Sequence, residues 1–197
     1  MAATESDRTA LLVMDVQRWV VERFGDDTGW LDTLAATADA ARAAGVVAIF
    51  VTVAFRPGYP EVSDRSPGFA ALRSTGALVE GDPGTAIHPA VTPKPQDIVV
   101  TKRRVGAFSG IDLDLVLRAR GIDTLVLTGV ATSGVVLSTV RAAADMDYQL
   151  VVLRDLCIDG DPDVQRVLLD KLFPNQAQVM TAQEWTAGLP VAEARAR

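Results

Sequence analysis

The sequence contains one cysteine and one histidine among 197 residues, and this scarcity excludes several kinds of site. A single cysteine can form neither an internal disulfide nor a cysteine-based zinc site, and it fits a reducing cytoplasm. A single histidine excludes metal sites and catalytic motifs that need two. We therefore expect no catalytic metal, no other cofactor and a cytoplasmic location.

Long apolar runs and an excess of positive charge are missing as well. No apolar run reaches the ~18 residues of a membrane span, and the first ten residues lack the basic-then-apolar layout of a signal peptide. The formal charge of −6 argues against a general nucleic-acid binder, which needs a basic face. The length favours one domain over residues 1–197, and a small molecule remains as the expected partner.

Apolar runs of strand length alternate with stretches of helical periodicity along the chain. This alternation predicts a three-layer α/β/α Rossmann-like sandwich with a mostly parallel sheet of about six strands and helices on both faces. The predicted strands are Ala10 onward, Val46–Phe55, Asp97–Lys102, Thr124–Val130, Tyr148–Leu153 and Ala177–Met180. The predicted helices are Asp32–Ala44, Asp112–Arg120, one from Val135 onward, Pro162–Phe173 with Asp161 as N-cap, and one opened by a Thr181–Glu184 capping box.

Residues 56–95 form a long excursion rich in proline and glycine, with a short helix predicted near Phe69–Arg73. Loops of this length in compact domains are usually lids or binding loops. The single histidine, His88, lies here, and in such a loop it is more typical of a structural hydrogen bond than of catalysis.

Charged residues close two of the predicted strands. Asp15 directly follows the first strand, where a buried carboxylate is costly unless it is paired. It is therefore a candidate general acid or base or an orienting anion, and the alternative is a cap for the following turn. Lys102 ends the third strand and opens a basic cluster with Arg103 and Arg104. Because parallel strands end at one edge of the sheet, Asp15, Lys102 and the corner at 132–135 converge on one pocket if their three strands are neighbours.

A small polar corner follows the fourth strand, at Ala131-Thr132-Ser133-Gly134. We expect the next helix to begin there on a Thr or Ser cap, with free backbone N–H groups suited to an anion or an oxyanion. The alternative is that the corner only joins a strand to a helix, as many such corners do.

The segments LLVMDVQ, VVTKRRVGAFSG and TGVATSGVVLST together resemble the isochorismatase-like hydrolases, also called the cysteine hydrolase family. The resemblance covers nearly the whole chain and implies a catalytic Asp, a Lys and usually a Cys. Asp15 and Lys102 match the first two. In the pattern T-G-V-x-T-N-x-C-V the cysteine position falls on Val135 and the asparagine position on Ser133.

The valine narrows the chemistry that the resemblance implies. Amide hydrolysis through a thioester needs the thiolate, so Val135 closes that route. The family also contains true isochorismatases, which cleave a vinyl ether without the cysteine, and Asp15 would be the acid if burial raises its pKa. Lys102 would hold a substrate carboxylate or tune Asp15. The alternatives are hydrolysis with Asp15 as base, or an inactive ligand-binding or assembly module. Cys157, placed after the fifth strand, is expected to be a small buried hydrophobe.

The remaining expectations concern the substrate and the assembly. Arg103 or Arg104 is a candidate anion contact, and several aromatic side chains are candidates for the pocket wall. The nicotinamidase branch of the family carries an Asp-x-His…His metal set that one histidine cannot supply. Members of the family are commonly dimers or tetramers, so the resemblance implies a homodimer or homotetramer. The aromatic candidates are Trp19, Phe55, Tyr59 and Phe108.

Overall fold

A computed structural model describes residues 6–24 and 29–190, and its centre is a six-stranded parallel sheet. The strand order is β3-β2-β1-β4-β5-β6, so the apolar strands β1 and β4 lie side by side in the middle. This confirms the predicted fold class. The strands are β1 (Thr9–Met14), β2 (Val47–Val53), β3 (Ile98–Lys102), β4 (Thr124–Val130), β5 (Gln149–Ile158) and β6 (Gln178–Met180).

Helices cover both faces of the sheet, as right-handed crossovers require. One apolar cluster packs α4, α5 and the turns after α6 against one face, and a second packs α2 and α7 against the other. From β1 the chain first adds β2 and β3 on one side and then crosses back to add β4, β5 and β6 on the other. Right-handed crossovers in these two directions place their helices on opposite faces of the sheet, which explains the division. The helices are α1 (Arg18–Val21), α2 (Gly29–Ala43), α3 (Pro67–Thr75), α4 (Leu113–Ala119), α5 (Leu137–Asp145), α6 (Pro162–Val167) and α7 (Ala182–Ala187).

Several predicted boundaries need correction. The fifth strand runs to Ile158 instead of ending at Leu153, so Cys157 lies within it and the prediction that it follows the strand was wrong. The predicted helix 162–173 is α-helical only to Val167 and continues as a π-helical and then a 3-10 turn. Both predicted caps are confirmed: the Asp161 side chain accepts from two backbone N–H groups, and residues 181–184 form a capping box.

The long segment 56–95 is held to the sheet at several points. It contains α3 where a short helix was expected, and a parallel bridge joins Phe55 to Val79. A second, antiparallel bridge joins Ile87 to Gln17, two residues after Asp15. These bridges place the segment directly beside the carboxyl end of β1.

Gly129 allows β1 and β4 to approach closely at their carboxyl ends. It pairs with Met14, has φ of +144°, and a Cβ on it would lie 2.3 Å from the Met14 carbonyl oxygen. The sheet is also irregular here, because the β4–β5 register shifts between Leu127 and Gly129. The peptide bond between Val130 and Ala131, at the end of β4, is cis.

We expect Gly129→Ala to lower the free energy of unfolding by roughly 2–3 kcal/mol, because the backbone of the central strand must move to admit the methyl group. Chemical denaturation monitored by circular dichroism measures this loss. Gly110→Ala is the matched control, since Gly110 also has positive φ but no atom within 4 Å of an added Cβ. Equal losses in the two variants would show that the close approach is unimportant.

Candidate functional site

Asp15 stands at the carboxyl end of β1 in a left-handed backbone conformation, with φ of 57°. Its backbone N–H donates to the Val51 carbonyl at 2.8 Å, which fixes the turn against β2. The residue is only 7% exposed. The carboxylate therefore leaves the sheet at its edge while remaining almost entirely removed from water.

Lys102 ends β3 and is 2% exposed, which is rare for a lysine without a partner. Its ammonium donates to Asp15 Oδ2 at 2.7 Å and to the Arg104 carbonyl at 3.1 Å. β2 lies between β1 and β3, so the long lysine side chain spans the end of one strand to meet the carboxylate. The structure thus brings together Asp15 and Lys102, which are 87 residues apart in the chain.

Burial raises the pKa of Asp15 to about 6, against the opposing charge and hydrogen bond of Lys102. The carboxyl group therefore exchanges its proton near neutral pH. Its second oxygen, Oδ1, is buried and has no hydrogen-bond partner among the described residues. A group with this pKa and one uncommitted oxygen is suited to proton transfer.

The corner after β4 differs from its prediction. A π-helical turn, Thr132–Val136, precedes α5, and no side chain caps either start, so the expected Thr or Ser cap was wrong. The Ser133 N–H donates to Asp159 Oδ2 at 2.7 Å. The Asp159 carboxylate thus accepts a hydrogen bond from one of the N–H groups that were candidate oxyanion donors. Thr132 is fully buried, whereas Ser133 is exposed.

Val135 lies within the same turn and is 2% exposed, packed in the apolar cluster on the α4–α5 face. The cysteine, Cys157, lies on β5 opposite Gly129 and is fully buried. Its thiol contacts the Leu127 carbonyl at 3.7 Å, and burial raises the thiol pKa far above its usual range. The expectation that Cys157 is a small buried residue agrees with this environment, which disfavours a thiolate.

The two arginines after Lys102 have different surroundings. The Arg103 guanidinium pairs with Glu61 at 3.1 Å and also with Glu80, both from the long segment. The Arg104 side chain is exposed and donates only to the Arg103 carbonyl, at 2.6 Å. No carboxylate of the described chain lies within ion-pair distance of Arg104. Of the two, Arg104 is therefore the one without a carboxylate partner among the described residues.

The aromatic candidates pack mainly with other side chains. Phe55 is fully buried, with its ring centroid 5.7 Å from those of Tyr59 and Phe69. Phe108 packs against Tyr148 at 5.9 Å, and Trp19 borders the Phe55 cluster. Their predicted place in a pocket wall stays a prediction.

Gln17 is a site residue that sequence reasoning did not single out. It is fully buried, and its amide accepts from the Val53 N–H at 2.7 Å and donates to the carbonyls of Val53 and Thr85 at 2.9 and 2.7 Å. The amide thus joins the ends of β1 and β2 to the long segment. The signal available in the sequence was a polar residue two positions after Asp15, in an otherwise apolar stretch.

Over residues 6–24 and 29–190, no three His, Cys, Asp or Glu side chains gather in a way that could hold a metal ion. None of the helices in these ranges combines the length and apolar character that crossing a bilayer requires. A cavity of about 600 Å³, lined by Thr9, Thr124, Gln149 and Trp185 among others, lies at the opposite edge of the sheet, away from the Asp15–Lys102 pair.

Comparison with known sequences gives consistent similarities along most of the chain. A model of the isochorismatase domain matches residues 9–184. The chain is 32% identical over 218 residues to the ureidoacrylate amidohydrolase RutB of Methylorubrum extorquens, covering 98% of this chain and 87% of the relative. It is also 32% identical over 179 residues to the uncharacterized isochorismatase family protein YwoC of Bacillus subtilis, covering 90% and 92%.

Solved structures share the architecture. An isochorismatase family protein from Burkholderia thailandensis superposes with a TM-score of 0.80 and 35% identity, covering 94% of this chain and 97% of that one. A cysteine hydrolase from Pseudomonas syringae pv. phaseolicola superposes with a TM-score of 0.83 and 25% identity, covering 98% and 97%.

Proposed function

The chain belongs to the isochorismatase family, a family of hydrolases, and we propose that it hydrolyses a small anionic metabolite without a cysteine nucleophile. The observation that carries this proposal is the buried Asp15–Lys102 pair, in a chain whose Val135 falls at the cysteine position of the family pattern. The acid–base group is present, whereas the residue that would form a thioester is replaced by an apolar side chain. The leading substrate class is an enol ether that bears carboxylates, with isochorismate as its representative.

Asp15 would act as the general acid. In its protonated form the carboxyl group gives its proton to the methylene carbon of the enol ether, leaving an oxocarbenium carbon. Water adds to that carbon and returns a proton to the Asp15 carboxylate. The resulting hemiketal then collapses, the C–O bond to the ring breaks, and pyruvate and an alcohol are released. A pKa of about 6 keeps part of Asp15 protonated near neutral pH, as this step needs.

Two features support a route that does not use a thiol. Val135 has neither a lone pair nor a proton to exchange. Cys157 is fully buried and its pKa is raised, so the thiolate needed for attack on an amide is disfavoured. The relative RutB is an amidohydrolase by name, and this substitution is our reason for not extending its reaction to this chain.

The direct test offers both kinds of substrate to the purified protein. We expect pyruvate to be released from isochorismate and ureidoacrylate to remain intact, with kcat/KM falling as the pH rises through about 6 because Asp15 loses its proton. Hydrolysis of ureidoacrylate would contradict the cysteine-independent route. Pyruvate release that increases with pH would make Asp15 a base.

Arg104 is proposed as the contact for a substrate carboxylate. Arg104→Gln is expected to raise KM for isochorismate roughly 10- to 100-fold with little change in kcat, because a charge-assisted hydrogen bond contributes similarly to ground state and transition state. Steady-state kinetics measure the split. Arg103→Gln is the control: its charge is already paired with Glu61 and Glu80, so a smaller rise in KM is expected. A larger effect in the Arg103 variant would reverse the assignment.

A ligand-binding or assembly module is the second candidate function, and the burial of Val135 in the apolar cluster favours it. Packing at the position of the missing nucleophile suits a pocket that holds a ligand without changing it. Thermal-shift screening against carboxylate metabolites distinguishes the candidates, since stabilisation by a ligand that is never turned over supports binding. Turnover of any such ligand removes this alternative.

We also propose that the protein assembles as a homodimer or homotetramer and that it is located in the cytoplasm. Light scattering coupled to size-exclusion chromatography measures the mass in solution, and a mass of 20.9 kDa would be that of a monomer.

A further inference from the structure

The side chain of Gln17 pairs with the last residue of β2 at a point that β1 does not reach. β1 ends at Met14, opposite Val51. β3 runs further along β2 and pairs Lys102 with Val53. Val53 therefore lies beyond the last β1 partner, and the Gln17 amide takes the place of a strand there. The amide accepts from the Val53 N–H at 2.7 Å and donates to the Val53 carbonyl at 2.9 Å.

These contacts connect the two members of the Asp15–Lys102 pair through the end of β2. On one side, the Gln17 N–H donates to the Asp15 carbonyl at 2.8 Å, which closes the tight turn that carries the carboxyl group. On the other side, Val53 is the ladder partner of Lys102, and the Ala54 N–H donates to the Lys102 carbonyl at 3.2 Å. The backbones of both members are thus held to the same stretch of β2.

The same amide also attaches the long segment to the turn after β1. Its other N–H donates to the Thr85 carbonyl at 2.7 Å, so both of its donors are used. The Arg18 N–H donates to the Ala86 carbonyl at 3.0 Å. The His88 N–H donates to the Val16 carbonyl at 2.9 Å. One fully buried side chain therefore links the ends of β1 and β2 and the stretch 85–88.

We propose that Gln17 is a positioning residue: its amide sets where the Asp15 carboxyl group lies relative to the Lys102 ammonium, and it holds the stretch 85–88 beside the turn that carries Asp15. The inference rests on the proposed function only in taking Asp15 as the acid of the reaction. Without the amide, three buried backbone groups lose a partner and the end of β1 loses its side-chain link to β2. Water then enters the turn, and the 2.7 Å contact between Lys102 Nζ and Asp15 Oδ2 lengthens.

The test is Gln17→Met, which keeps the length of the side chain and removes all three hydrogen bonds. Carbon-13 NMR of the Asp15 carboxyl group, identified by its absence from the spectrum of Asp15→Asn, measures the midpoint of its titration. We expect the midpoint to fall by about one pH unit or more from about 6, because burial is the largest cause of the raised pKa and the opened turn admits water. We expect kcat for pyruvate release to fall roughly 10- to 100-fold, since proton transfer depends on placement.

Gln165→Met is the matched control. The Gln165 amide also donates to a backbone carbonyl, that of Cys157 at 2.5 Å, but on β5, which β4 separates from β1. This variant is expected to lose stability as well, because a buried carbonyl loses its partner. The Asp15 midpoint and kcat should remain native, the latter within about twofold.

Gln17→Asn is the second variant, to be used if Gln17→Met does not fold. It keeps the amide but is one methylene shorter, so it cannot reach Val53 and Thr85 together, and smaller changes in the same directions are expected. A folded Gln17 variant with the native midpoint or native kcat would overturn the positioning role, as would equal changes in Gln165→Met. The carboxyl titration needs no substrate. A native protein that releases no pyruvate would therefore remove the proposed function, while the midpoint still decides the role of Gln17.

Discussion

Asp15→Asn is expected to lower kcat for pyruvate release by a factor of about 10² to 10⁴, the usual contribution of a positioned general acid. The amide matches the carboxyl group in shape and can still accept a hydrogen bond from Lys102, but it cannot give a proton to carbon. Because Oδ2 already bonds to the ammonium at 2.7 Å, the arrangement of the site is the least altered by this change. Coupled detection of pyruvate with lactate dehydrogenase measures the rate.

Cys157→Ala is the control for this experiment. The thiol is fully buried on β5, so its removal should leave kcat within about twofold of the native value while lowering stability by a modest cavity effect. Equal pyruvate release by the native protein and Asp15→Asn would remove Asp15 from the mechanism. A large loss of kcat in Cys157→Ala would return the cysteine to it.

Most of the fold could be predicted because the buried strands are unusually clear in the sequence. β1 is a continuous apolar run and β4 is mostly apolar, as strands covered on both faces must be. Asp15 directly follows β1, and Thr132 comes two residues after the end of β4. The same rule placed Asp15 and Lys102 at one edge before any coordinates. Their contact was expected only if β1 and β3 were neighbours; instead β2 lies between them, and the long Lys102 side chain spans it to reach Asp15.

The details of the site depended on contacts between residues distant in sequence. Nothing near Arg103 indicates that Glu61 and Glu80 neutralise it, since both come from the long segment. The Asp159 carboxylate that bonds to the Ser133 N–H likewise lies on another part of the chain, 26 residues away. The end of β5 was missed because Arg154 and Asp155 interrupt its apolar pattern, although the strand continues through them.

The second large effect concerns stability, and it is asymmetric between the two members of the pair. Asp15→Asn resembles the protonated form of Asp15, which burial already favours, so the free energy of unfolding is expected to change by less than about 1 kcal/mol. Lys102→Met leaves a carboxyl group that can become neutral by taking up a proton. Since Lys102 lowers the pKa of Asp15, its removal raises that pKa further. The expected loss is about 1–3 kcal/mol, because the buried carboxyl group loses the hydrogen bond from the ammonium.

Chemical denaturation of both single variants and of the double variant Asp15→Asn/Lys102→Met measures these losses. The double variant buries no charge and leaves the amide at position 15 without the ammonium as a partner, so its loss should be close to that of Lys102→Met alone. If Lys102→Met loses no stability, the hydrogen bond from the ammonium does not stabilise the site and the pair is not its organising contact.

The pH dependence of stability shows whether burial or Lys102 dominates the pKa of Asp15. The pKa of Asp15 is raised in the folded chain from 3.8 to about 6, so its contribution to stability is fully present below pH 3.8 and is lost as the pH rises through about 6. The difference in unfolding free energy between the native protein and the double variant should therefore fall over this interval, by on the order of 3 kcal/mol. In Lys102→Met the fall should move to higher pH, because the carboxyl group has lost the cation that favours its charged form. A difference that grows with pH would mean that Lys102 outweighs burial, and that Asp15 is ionised at neutral pH and unable to serve as the acid.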